Sequence, residues 1–139
     1  MNEIELVNKA IEAREMAYTP YSNFKVGAAL LTKQGKVYKG CNIESASYTP
    51  TNCAERTAFF KAVSEGEREF EAIAIVGGEK EVNKNELKLC PPCGVCRQVM
   101  MEFCNPEEFK IILSDCKDGV KVFKLKELLP LGFGPSNLI

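Results

Sequence analysis

Cys53, Glu55, Cys93 and Cys96 are the residues whose types and spacing can do chemistry. Cys53-Ala54-Glu55 is followed forty positions later by Pro92-Cys93-Gly94-Val95-Cys96-Arg97, in a chain without histidine. Three thiolates can hold one Zn²⁺ and leave its fourth position open to water, as catalytic rather than structural zinc sites do. A carboxylate two residues from a ligand is close enough to handle that water's protons. Cys93 and Cys96, three positions apart in the first turn of a helix, present both sulfurs on one side. Pro92 suits a helix start. Cys53 also opens a helix, where exposed N–H groups favour thiolate over thiol. Two plainer readings stand beside this one: Cys53 as a small buried hydrophobe, and Cys93 with Cys96 as a redox dithiol. The redox pair requires neither Glu55 nor a third thiol.

Cys90-Pro91-Pro92-Cys93 is a second Cys-x-x-Cys. The two prolines hold Cys90 on an extended segment outside the helix, aimed away from Cys96, so Cys90 is expected to be a bystander. Cys41, Cys104 and Cys116 lack ligand spacing and read as packing residues. Three thiolates with Zn²⁺ carry net negative charge, so the site needs a cation or N–H donors close by. Arg56, in the same first turn as Cys53, is the better candidate than Arg97. Glu55 has an alternative as a first-turn carboxylate favoured by the helix dipole.

The elements that must position these residues follow from periodicity. Ile4, Val7, Ala10, Ile11 and Ala17 predict an amphipathic helix over 3–17, broken by Tyr18-Thr19-Pro20-Tyr21-Ser22. Residues 24–32 and 36–41 read as an antiparallel hairpin turning at Gln34-Gly35. An ordered loop follows over 42–52. Residues 53–63 are helical and end at Gly66. Residues 70–76 form a buried strand rich in β-branched residues, and 77–91 a charged loop. A second cysteine-led helix spans 93–103. Strands at 109–114 and 120–124 are joined too closely for a parallel crossover, and a short helix covers 126–129. This order predicts a mixed sheet with helices packed on it. Ligand sites in such sheets gather where helix N-termini meet one edge, which lets the two cysteine motifs converge.

At 139 residues the chain fits one domain with a core that needs no disulfides. A net charge of -1 offers no electrostatic footprint for a nucleic-acid backbone. The first residues lack the features of a signal peptide, and no apolar run reaches the roughly 20 residues that span a bilayer. Seven cysteines, odd in number and clustered, point to a reducing cytoplasm rather than a disulfide framework.

The stretches Cys41-Asn42-Ile43-Glu44-Ser45-Ala46-Ser47-Tyr48, Cys53-Ala54-Glu55-Arg56 and Pro92-Cys93-Gly94-Val95-Cys96-Arg97-Gln98 resemble the small homotetrameric cytidine deaminases. So do 60–66 and the tail Leu129-Pro130-Leu131-Gly132-Phe133-Gly134-Pro135. The resemblance runs from about residue 21 to 138. It implies a single-domain three-layer α/β fold over 1–139, with a mixed sheet of about five strands and helices on both faces. It implies hydrolytic deamination of cytidine and 2′-deoxycytidine, a step of pyrimidine salvage, with one Zn²⁺ per subunit on Cys53, Cys93 and Cys96. By the same resemblance Glu55 moves protons and Asn42 and Glu44 bind the ribose 3′-hydroxyl. Phe24 packs near the base, with Tyr48 and the backbone of Ala46 and Ala54 around the nucleoside. Phe133 would reach a neighbouring subunit from the tail, about 130–139. The alternatives are a deaminase of a cytosine-bearing antibiotic nucleoside and a noncatalytic zinc-stabilised module. The chain departs from the family in Cys90 and in the long charged segment before Pro92.

Overall fold

The computed structural model describes all 139 residues. Its centre is a five-stranded sheet of order β2-β1-β3-β4-β5. The strands are β1 (Phe24–Thr32), β2 (Val37–Cys41), β3 (Phe70–Glu79), β4 (Lys110–Ser114) and β5 (Val120–Lys124). β1 pairs antiparallel with both β2 and β3, β3 with β4 is parallel, and β4 with β5 is antiparallel. The hairpins and the mixed sheet match the reading from sequence.

Strict alternation along the strands makes the sheet two-faced. Ala28, Leu30, Ile73, Ile75, Ile111 and Leu113 face helices α2 (Ala54–Ser64) and α3 (Gly94–Phe103). Ala29, Leu31, Ala72, Ala74, Val76 and Ile112 face α1 (Glu3–Arg14) through Leu6, Val7 and Ala10. On the first face, Phe59 of α2 lies 5.1 Å from Phe70, 6.0 Å from Phe109 and 6.2 Å from Phe103 of α3, centroid to centroid. That aromatic cluster fixes α2 against α3.

Several element ends differ from expectation, each for a local reason. α1 stops at Arg14 rather than 17. Glu15 and Met16 tighten to bonds with Glu12 and Ala13, and Tyr18 turns away to bridge Ile43. β3 continues through the two glycines to Glu79 because Val26, Lys25 and Phe24 extend its partner. The buried Arg14 guanidinium locks this end by donating to the carbonyls of Lys25 (3.1 Å), Gly78 (3.0 Å) and Glu79. Residues beyond it form a loop whose base is closed by a Gly77–Lys88 bridge, with a 3₁₀ turn at Lys84–Glu86. The last helix, α4, covers Leu125–Leu128, one residue earlier than read from sequence.

β2 and β3 run in the same direction, since β1 is antiparallel to both. α2 follows β2 and α3 follows β3, so both helices start at the same end of the sheet. Two glycines let helices approach closely. A Cβ on Gly40 would stand 2.4 Å from the Ala54 carbonyl oxygen and 2.5 Å from the Ala58 nitrogen. One on Gly27 would stand 2.1 Å from the Ala10 carbonyl oxygen. Replacing either glycine by alanine is expected to cost about 1–3 kcal/mol, as overpacking does. Only Gly40→Ala shifts the start of α2, so denaturant midpoints should fall in both variants while metal bound per chain falls in Gly40→Ala alone.

Candidate metal centre

Cys53 is the N-cap of α2 and Cys93 the N-cap of α3, both with extended backbone and neither making a side-chain capping bond. Cys96 lies buried in the first turn of α3. The three Sγ atoms fall within 4.8 Å of one another. Cys53 Sγ is 3.7 Å from Cys93 Sγ, which is 3.5 Å from Cys96 Sγ. A tetrahedral ion with Zn–S bonds of about 2.3 Å sets its sulfurs roughly 3.8 Å apart, so the donor set fits zinc. Cys90 is outside this group. It packs beside Gly77 and Phe24, where a Cβ on the glycine would meet its sulfur at 2.9 Å, and burial pushes its thiol up to about 12.

The electrostatics of the cluster are asymmetric. A hydrogen bond shared with Cys96, followed by one from the Arg56 guanidinium, draws the Cys53 thiol down to about 5. Arg56 Nη2 donates to Cys53 Sγ at 3.3 Å. The same shared bond, then burial, holds Cys96 well above the ordinary thiol range. Of this pair, Cys53 is therefore the one that ionises first. Arg97 does not serve the sulfurs: its guanidinium donates to the carbonyls of Pro92 and Leu128, each at 2.8 Å. Glu55, one residue into α2, is only 4% exposed. Burial, and after it the charge on Cys53, raises its carboxyl to about 7.

The remaining residues singled out from sequence divide into two groups. Asn42 follows β2 and laces the loop to β1, its Oδ1 accepting from Val26 N (2.9 Å) and its Nδ2 donating to the Phe24 carbonyl (2.9 Å). Glu44 accepts from the backbone N–H groups of Tyr21 (3.0 Å) and Ser22 (3.1 Å) and from the Ser22 hydroxyl. The Ser22 hydroxyl, then those N–H groups, hold its carboxyl below the usual carboxylate range. Tyr21, Ser22, Glu44, Tyr48 and Thr51 line an open cavity of about 390 Å³. Tyr21 and Tyr48 meet edge to face at 6.2 Å, with Tyr48 at φ 65. No cysteine lines this cavity, but the loop that carries Glu44, Ala46 and Tyr48 ends at Asn52, next to Cys53. Ala54 is fully buried beneath the start of α2.

Phe133 stands apart from that lining. Its carbonyl accepts from Gln98 Nε2 at 2.7 Å, and the residue is 57% exposed. Tyr21, Ser22 and Thr51 were not expected from sequence, where 18–22 reads only as a helix breaker. Glu44 is the signal that could have found Tyr21 and Ser22, because a lone carboxylate in a polar loop needs donors. Arg14 was also missed, since a basic residue ending an amphipathic helix ordinarily points to solvent.

The family described as "Cytidine and deoxycytidylate deaminase zinc-binding region" matches residues 1–112. A cytidine deaminase of Halalkalibacterium halodurans is 51% identical over 99% of this chain and 98% of its own length. One from Sporosarcina psychrophila is 47% identical over 99% of this chain and 96% of its own. Among solved structures, the cytidine deaminase of Burkholderia pseudomallei superposes with a TM-score of 0.85 at 48% identity, covering 96% of this chain and all of that one. Thiol spacing, fold and full-length similarity agree: the chain belongs to the cytidine and deoxycytidylate deaminase family and carries its zinc-binding region.

Proposed function

We propose that the protein hydrolyses cytidine and 2′-deoxycytidine to the corresponding uridine nucleosides with release of ammonia. The observation that carries this reading is the triangle of sulfurs at zinc-tetrahedral spacing, with the buried carboxyl of Glu55 in the adjoining helical turn. Both curated relatives described above are cytidine deaminases, which favours cytidine over an antibiotic nucleoside. A structural zinc module would ordinarily offer a fourth protein ligand, and the cluster holds three.

Cys53, Cys93 and Cys96 would hold the metal, and the Arg56 guanidinium offsets their negative charge from outside. Bound Zn²⁺ supplies Lewis acidity that makes water nucleophilic near neutral pH. Glu55 takes a proton from that water and passes it to the ring nitrogen beside the amino-bearing carbon, as the oxygen joins that carbon. Glu55 then takes the remaining proton of the added hydroxyl and delivers it to the amino group, whose C–N bond breaks as the carbonyl of the uridine product forms, releasing ammonia. Burial keeps bulk water from competing for these protons. Asn42 and Glu44 orient the ribose through its 3′-hydroxyl, Phe24 packs on the base, and Tyr48 with the backbone of Ala46 and Ala54 completes the nucleoside site.

We read residues 1–139 as one catalytic domain working as a homotetramer, with Phe133 of the tail completing a neighbouring subunit's site. The support is the apolar surface one chain leaves uncovered at Tyr48, Val95, Leu131 and Phe133. Seven free thiols suit a reducing cytoplasm and a place in pyrimidine salvage. No helix is long and apolar enough to cross a membrane.

Serine in place of Cys53, Cys93 or Cys96 should each strip zinc, measured by metal analysis, and abolish the absorbance change on cytidine. Cys90→Ser should keep both, and zinc loss in that variant would refute the ligand set. Glu55→Gln should retain zinc while turnover falls by at least about 10²–10⁴-fold, the usual contribution of acid–base catalysis. Near-normal turnover would reduce Glu55 to a helix-dipole residue. Free cytosine and 3′-deoxycytidine should be poor substrates, because a site built to bind a hydroxyl strongly rejects analogues lacking it. Comparable kcat/KM for cytosine and cytidine would overturn the sugar assignment.

A further inference from the structure

Beside its cysteine turn, α3 carries two side chains that reach back to the C-terminal segment. Arg97 joins the Pro92 carbonyl to that of Leu128, at the end of α4. The next residue, Gln98, donates from Nε2 to the Phe133 carbonyl at 2.7 Å. One turn further on, a Cβ at Gly134 would come within 2.9 Å of Met101 Cε, so the segment lies flat across the helix there. The Gly134 N–H donates to Asn137 Oδ1 at 2.8 Å, closing a 3₁₀ turn over Pro135–Asn137. Between the anchors, Leu131 bulges fully into solvent at φ 53. The backbone at 133 is thus pinned to its own subunit, yet that subunit does not bury the ring.

A tail with an aromatic flanked by glycines would fray if nothing held it. Here the holding atoms belong to the metal-bearing helix. We propose that Gln98 is a positioning residue for deamination in the neighbouring subunit, fixing the point from which Phe133 closes that site. This rests on the reading that Phe133 acts between subunits. By it, the helix that supplies Cys93 and Cys96 to one site also presents the aromatic ring of the next. Gly134 is held by Asn137 and lies against Met101, but at residue 133 itself the bond from the Gln98 amide to the carbonyl is what fixes the backbone that carries the ring.

Gln98→Met keeps side-chain length and removes the donor. The bond's net worth converts to a rise of about two- to ten-fold in KM for cytidine. The kcat, zinc per chain, melting temperature and elution volume should be unchanged. Phe133→Ala should raise KM as well, and adding Gln98→Met to it should have no further effect. Gln98→Asn, which keeps the amide but shortens its reach, should behave as Gln98→Met and serves if the methionine variant does not assemble. Co-expressed hybrids locate the effect. When Phe133→Ala chains are mixed with Glu55→Gln chains, the working sites take their ring from the Glu55→Gln partner. Putting Gln98→Met on that partner should raise KM, whereas a role confined to the residue's own subunit leaves KM unmoved. Unchanged KM in Gln98→Met, with Phe133→Ala impaired, overturns the proposal alone. Unchanged KM in Phe133→Ala overturns the between-subunit reading on which it rests.

Discussion

Two helices start at one point, and neither is capped by a conventional side chain. Cysteines occupy both N-cap positions without a capping hydrogen bond, where Ser, Thr, Asp or Asn would usually contribute about 1 kcal/mol. What the cysteines provide instead is two sulfurs bathed in the positive ends of two helices, with a third sulfur a turn away. A thiolate there is stabilised by unsatisfied N–H groups and by Arg56. Everything else in the fold is arranged so that these two helix ends coincide.

That coincidence is a matter of strand direction and close approach. Because β2 and β3 run the same way, the helices after them begin at the same end of the sheet. Small residues then set the depth: Ala54, Ala58 and Ala62 line the inner face of α2, and Gly40 admits the helix backbone almost to van der Waals contact. Phe59 at the centre of an aromatic cluster keeps α2 and α3 from sliding past one another. The opposite face, with α1, repeats the device through Gly27 and Ala10. Close-packed interiors transmit small volume changes, so the position of Cys53 depends on side chains that never touch it.

Much of this was legible from residues alone, and what escaped has a common cause. Period and punctuation located the five strands and the four α-helices, spacing singled out the three thiols, and the two prolines before Cys93 set Cys90 aside. The shortfalls concern tertiary pairing. α1 ends early because Tyr18 is taken by Ile43, and β3 runs long because β1 offers it partners through two glycines. Neither partner is local. Likewise the donors around Glu44 and the carbonyls around Arg14 come from distant segments. Single-residue propensity carries no information about such partners.

The bridge between Gly77 and Lys88 has a consequence for evolution. It seals the neck of the charged segment, so the residues beyond the neck hang from a closed base. Lengthening a closed loop is inexpensive, about 0.6 kcal/mol for each doubling. Within residues 79–88 only Leu87 is buried, while the charged side chains there lie in solvent. Insertions and changes of charge can therefore accumulate in this stretch without displacing Pro92 or the helix behind it. The segment is a part of the surface where lineages are free to diverge while the chemistry beneath stays the same.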